Sequence, residues 1–248
     1  MALFRLYTIT TTFQEIFMEL FGIDISRNTE ENVEMLENAI IDLLIGIVSL
    51  SENNGLDAVR QHNLRCEKIA LAILRNIDHS ELNDADAMYL NSSPKMHYYL
   101  SKACAMHDLG KTTVSPILLN RQGGLTDAEF NLIKEHTMSP ERVFEATQGR
   151  TVFFFKLLEQ CMRSHHERYN GKGYPDGLKA GEIPFVARLM SIIDTVDNIV
   201  HRSAYADEQP YEKALQVVLS MRGEAFDPVL VDALLDAKEE ISDILITY

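Results

Sequence analysis

Two adjacent residue pairs carry the strongest chemistry in this sequence. His107–Asp108 follows an apolar run and leads into Gly110–Lys111, and His165–His166 stands just before a glycine-rich stretch. His136 lies between the pairs, and Asp194 follows inside SIIDTVDNIV. Imidazole nitrogen and carboxylate oxygen are ligands that suit iron, manganese or zinc. Adjacent helical residues project about 100° apart, so a His–Asp pair can feed one ion while its carboxylate reaches a second. Two ions held that way activate water between them and bind both the attacking and the leaving oxygen of a phosphoester. Lys111 comes four residues after His107, on the same face if the helix continues, and is placed to meet a phosphate.

These residues need elements to position them, and the periodicity is helical almost throughout. His62, Cys66, Ile69 and Ile73 fall at steps of four, three and four, which aims His62 at a core. Val186, Leu189, Ile193, Val196 and Val200 form one stripe, and Asp194 lies on its neighbour with Ala187, Met190, Asp197 and His201. An aspartate beside a buried face needs a partner, and a cation can provide it. Helices are expected at 3–21, 29–50, 84–89, 96–107, 126–146, 151–168, 184–200, 210–221 and 228–246. Thr126–Glu129 has the form of a capping box. No strand-like alternation, repeat or low-complexity tract stands out. The long irregular segment is 169–183, with Gly171, Gly173, Pro175, Gly177 and Gly181, a length that marks a functional loop. Its glycines allow positive φ, so Tyr174 can present a ring and hydroxyl beside the paired histidines.

Composition narrows the classes. The 248 residues are 46% hydrophobic and 24% charged, enough for one main domain with a sizeable core. No run reaches the ~20 apolar residues of a membrane span, since 39–50 is short and broken by Asp42. The first residues lack the pattern of a signal peptide. Three scattered cysteines suit a reducing cytoplasm and exclude a disulfide scaffold. A net charge of −14 leaves no broad basic surface for a nucleic-acid polymer. The polar SENNGLD at 51–57 suggests a helical N-terminal extension over 1–52 and a catalytic domain over 53–248.

HDLGK at 107–111, LTDAEF at 125–130, KEH ending at His136 and HHERYNGKGYPDGL at 165–178 resemble the HD-GYP family. That family is a helical branch of the HD metallo-phosphohydrolases. The likeness continues through GEIPFVARLMSIIDTVD at 181–197 and the FDP at 226–228. It implies an all-α HD-domain bundle with a Gly/Pro-rich GYP loop, working as a cytoplasmic phosphodiesterase. The substrate it implies is cyclic di-GMP, opened mainly to linear pGpG in bacterial second-messenger signalling. Position by position, it assigns one divalent ion to His62, His107, Asp108 and Asp194. The second ion takes Asp108 as a bridge, with His136, His165 and His166. Iron or manganese is the implied metal, with zinc, magnesium and nickel as alternatives. Lys111 contacts the scissile phosphate, and Tyr174 and Pro175 shape the substrate pocket or a docking surface for GGDEF-domain proteins.

Departures sharpen the expectation. Ala58 stands where members with a third metal carry a glutamate, so two ions are expected. Ser203 and Ala204 replace a usual arginine and proline, leaving Arg202 as the nearby cation for substrate phosphate. Pro140 replaces a usual glycine, and Asn198 a usual alanine. The altered 201–205 segment motivates a second reading, a phosphohydrolase of another cyclic dinucleotide or nucleotide. A third is a weakly active or inactive binding module of the same fold. The N-terminal helices are expected to pack on the catalytic body or to form a homodimer.

Overall fold

The stripe Cys66, Ile69 and Ile73 becomes the fully buried face of helix α1, Leu56–Arg75, so the four-three-four spacing places His62 at the edge of a core. The computed structural model describes residues 39–40, 43–44, 46, 56–119, 121, 123–138, 153–203 and 210–248, with backbone only at 56–59 and 202–203. The N-terminal extension, apart from those five residues, and Pro140, Ala204 and Tyr205 therefore lie outside the described residues. Residues 47–248 form one compact unit.

After α1 come α2 (Asp84–Leu90), α3 (Met96–Ala105), the short α4 (Pro116–Leu119) and α5 (Asp127–Lys134). They are followed by α6 (Phe153–Ser164), α7 (Phe185–Ser203), α8 (Pro210–Ser220), α9 (Pro228–Asp236) and α10 (Lys238–Thr247). Among the described residues there is no strand, only isolated bridges between Asn170 and Lys179 and between Arg222 and Phe226. The fold is all-α. No described helix is long and apolar enough to cross a membrane.

Helix α1 packs against α3, α7, α9 and α10, and α6 closes the bundle against α3 and α7. Ile69, Ile73, Leu100, Leu157, Leu158 and Leu189 are sealed between them. Each such side chain contributes about 2 kcal/mol by leaving water. The cap read from sequence is present in detail, and the structure adds a second. Thr126 accepts from the Glu129 N–H while Glu129 reaches back to the Thr126 N–H at 2.9 Å. Asp227 caps α9 by accepting from the Val229 N–H at 3.0 Å.

Four boundaries differ from the sequence reading. The 126–146 helix ends at Lys134 and passes into a 3₁₀ turn over Glu135–Thr137 that carries His136, and its positions from 139 on lie outside the described residues. The 96–107 helix stops at Ala105, and His107–Asp108 form a turn into a 3₁₀ helix over Leu109–Thr113. The 151–168 helix ends at Ser164, so His165 and His166 also stand in a turn. The 228–246 stretch is two helices broken at Ala237, whose backbone lies at φ −89°, ψ 4°. Each piece buries its own apolar set, Leu230, Val231 and Leu234 in the first and Ile241 in the second.

Candidate metal centre and its loop

The ligand histidines in turns are oriented by the helices that precede them. At each turn the ring Nδ1 reaches back to a backbone carbonyl in the last turn of the preceding helix. His107 Nδ1 donates to Cys104 O at 2.9 Å, His136 Nδ1 to Ile133 O at 2.7 Å, and His165 Nδ1 to Cys161 O at 3.0 Å. His62 Nδ1 faces Asp197 Oδ2 at 2.7 Å. In all four the occupied Nδ1 leaves Nε2 as the ligand atom, the arrangement that fixes tautomer and ring direction in metal sites.

The Nε2 atoms converge on Asp108. Its Oδ2 lies 3.1 Å from His107 Nε2 and 2.6 Å from Lys111 Nζ, and its Oδ1 lies 3.6 Å from His136 Nε2 and 3.8 Å from His165 Nε2. The last two nitrogens are 3.4 Å apart. Asp194 Oδ1 completes the edge at 3.9 Å from His107 Nε2. The His62 ring stands edge-on to His107, centroids 5.4 Å apart, and the His165 and His166 rings are 4.1 Å apart. All seven residues that the sequence singles out as ligands thus form one contiguous cluster.

Whether they fit metal ions is decided by the polar atoms themselves. Asp108 Oδ1 is buried and accepts no hydrogen bond. His136 and His165 turn two lone pairs toward each other and toward that same oxygen. Such an arrangement is costly by itself and favourable around a cation. Ligand atoms of His136, His165 and His166 lie within 4.8 Å of one another, as do those of His107, Asp108 and His165. The residues fit.

At Asp108, His136, His165 and His166 electrostatics favours the ligand protonation states. Burial alone would raise the Asp108 carboxyl, but His107 and Lys111 outweigh it and hold the group well below the usual carboxylate range. Burial lowers His136 and His165, and it lowers His166, with help from His136, to about 4. All three are neutral at pH 7. Unfolding restores their ordinary affinity for protons, so the unfolded chain binds more protons between about pH 6.5 and 4. Stability of the metal-free protein should therefore fall as pH drops through that window. The His62 ring moves the other way: burial opposes protonation, while Cys66 and Asp197 favour it and leave its affinity well above ordinary. Its stabilisation is complete below about pH 6.5 and does not offset the loss. We expect the melting midpoint of metal-free protein to drop several degrees from pH 7 to pH 5; an unchanged midpoint would contradict neutral, buried histidines.

Lys111 requires a correction. It is not on an α-helical face with His107; the 3₁₀ turn sets it three residues from Asp108, and its ammonium pairs with that carboxylate. Tyr174 also differs from expectation. One ring face is not open: it stacks on His166 with centroids 4.8 Å apart and planes 24° apart. Pro175, next in chain, is partly exposed. Gly171 and Gly177 have the positive φ expected, 81° and 69°, but Gly173 does not. Gly173 is required by proximity, since a Cβ there would lie 2.3 Å from Glu167 Cα. The Arg202 side chain lies outside the described residues, and its backbone belongs to the last turn of α7.

Sequence reasoning overlooked the residues that hold the ligands. Arg65 donates to both oxygens of Asp197, at 2.5 and 3.0 Å, and Asp197 in turn orients His62. Its position three residues after Asp194 was the available signal. Asn198 donates to Asp194 Oδ1 at 2.6 Å, which gives the unusual asparagine a task. Glu167 accepts from the Asp176 and Gly177 N–H groups at 2.7 and 3.0 Å, pinning the loop to the residue after His166. Arg188 joins Asp86 and Asp227 and donates to Ile183 O at 3.0 Å, anchoring the far end of the loop.

Comparison with known proteins follows this geometry. A family model described as HD domain matches residues 67–230, well over half the chain. The chain belongs to the HD domain family. The matched span holds six of the seven clustered residues, and His62 lies just before it. A probable cyclic di-GMP phosphodiesterase of Vibrio cholerae is 33% identical to this HD domain over 146 residues, 58% of this chain and 33% of its own. A cyclic di-GMP phosphodiesterase of Thermotoga maritima is 33% identical over 142 residues, 57% of this chain and 38% of its own. A 3'3'-cGAMP-specific phosphodiesterase 2 of Vibrio cholerae is 26% identical over 235 residues, 95% of this chain and 39% of its own. The chain thus spans a third to two fifths of these relatives' length. Among solved structures, a cyclic GMP-AMP-specific phosphodiesterase of Vibrio cholerae superposes with TM-score 0.52 at 19% identity, over 83% of this chain and 50% of that one. That likeness is one of fold.

Proposed function

We propose that this HD domain is a metal-dependent phosphodiesterase that opens cyclic dinucleotides, cyclic di-GMP foremost, mainly to linear pGpG. The observation that carries the reading is the buried, unsatisfied Asp108 oxygen between inward-facing imidazoles, with Lys111 at its rim. Relatives named for cyclic di-GMP and for 3'3'-cGAMP support the substrate class. They also favour one alternative, 3'3'-cGAMP as the preferred substrate. The assignment covers two ions, iron or manganese, one with His62, His107, Asp108 and Asp194, the other with Asp108, His136, His165 and His166. When bound, divalent ions there would supply Lewis acidity to a phosphodiester and lower the pKa of a water.

The chain's own residues do the rest. Asp108 stays ionised and keeps the two ligand groups in register. Lys111 exchanges part of its contact with Asp108 for a non-bridging phosphate oxygen and offsets the added charge of the transition state. The carboxylates and imidazoles act as ligands, not as a general acid–base pair. Tyr174 and Pro175 form the wall over the second group, where a base or a GGDEF-domain partner would meet the loop. Residues 1–52 are a helical extension without metal ligands in this reading, residues 53–248 the catalytic domain, and the setting the cytoplasm.

The test is metal analysis of purified protein together with turnover of cyclic di-GMP, 3'3'-cGAMP and cyclic di-AMP. Two ions per chain and cleavage of cyclic di-GMP to pGpG are expected; a metal-loaded protein that cleaves none of the three overturns the reading. Lys111→Ala should keep both ions and slow turnover about a hundredfold. Loss of metal equal to that of an Asp108 variant would show that Lys111 serves the site's structure instead.

A further inference from the structure

Lys134 closes helix α5 two residues before His136, and its ammonium is held by rings. Its Nζ lies 4.7 Å from the Phe130 centroid and 4.9 Å from the Tyr174 centroid. Those rings meet edge to face at 6.5 Å, and Tyr174 stacks in turn on His166. Among the described residues no carboxylate pairs with Lys134, whereas Lys111 is already matched to Asp108. Phe130 is 44% exposed, so the cluster opens to solvent at the rim of the metal centre.

A cation seated on two aromatic faces keeps its full charge, because the rings attract it without neutralising it. In a chain of net charge −14 that is a rare resource for an anion. A cyclic dinucleotide carries two phosphodiesters, and only one can sit at the metal ligands. We infer that Lys134, held by Phe130 and Tyr174, binds the second phosphodiester of a cyclic dinucleotide and so selects substrates with two phosphates. The inference rests on the functional reading above and adds the residue that measures the substrate. The exposed Phe130 ring offers apolar surface for the attached sugar or base.

The experiment compares wild type, Lys134→Gln and Lys134→Arg, all metal-loaded, on cyclic di-GMP and on bis(p-nitrophenyl) phosphate, which has one phosphodiester. For Lys134→Gln, kcat/KM for cyclic di-GMP should fall about tenfold further than for the small diester, with the loss in KM. Lys134→Arg should recover most of it, and metal content should match wild type in both variants. Equal losses on both substrates, or a loss confined to kcat, would overturn the inference while leaving the phosphodiesterase reading intact. Cleavage of the small diester by wild type without any cleavage or binding of cyclic dinucleotides would instead remove the functional reading and this inference with it.

Discussion

Asp108→Ala should take turnover to background and strip the protein of most of its metal. One carboxylate stands against His107, His136, His165 and Lys111, so its removal affects both proposed ligand groups together. It also leaves the Lys111 ammonium without the partner that lowers its cost at the edge of the core. Asp108→Asn separates shape from charge: it fills the same space but cannot balance two dications, and metal content should still collapse. Elemental analysis after gel filtration reads both variants. If either keeps two ions per chain, Asp108 is not the shared ligand and the division of the cluster into two groups is wrong.

Gly173→Ala is expected to be nearly as damaging, for a reason unconnected with charge. The added methyl would sit 2.3 Å from Glu167 Cα and Arg168 N and 2.6 Å from Glu167 C, all of them backbone. No rotamer change relieves a backbone overlap, so either the loop lifts or Glu167 moves, and His166 is its neighbour. We expect a loss of about 3 kcal/mol, with weakened metal binding at His136, His165 and His166. Gly181→Ala is the control within the same loop, since nothing lies within 4 Å of its added carbon. Similar melting curves for the two variants would show that the loop is not seated on Glu167 as described.

What could be read from the chain beforehand follows from how local each signal is. The helices of the core and the cap at Thr126 depend on spacing within one or two turns, and they were legible. The seven clustered residues are spread from 62 to 194, and it is the HD-GYP motifs that bring them together in the sequence. The turn geometry at His107–Asp108 and at His165–His166 was not legible, because the nearest glycines, Gly110 and Gly171, come two and five residues after the pairs and place the helix ends too late. Asp197 and Arg65 were passed over because their pairing spans 132 positions, and neither residue type marks its partner. The reason for Gly173 was misread in an instructive way. A glycine in a turn suggests unusual φ, whereas here it answers a clash with a strand of backbone six residues away. Nothing in the sequence near Lys134 marks its contact with Tyr174, which lies 40 positions on and reaches it through the loop.

The Arg65–Asp197–His62 chain has a consequence for how this protein reaches its native state. Residues from α1 must find residues near the end of α7 before His62 has a direction, so that part of the site closes the largest loop in the cluster. Contacts of such sequence separation form late on the folding route. An ion that needs them can recognise only a nearly finished molecule. Loading with metal should then slow unfolding far more than it hastens refolding, giving the protein a longer lifetime rather than a faster birth.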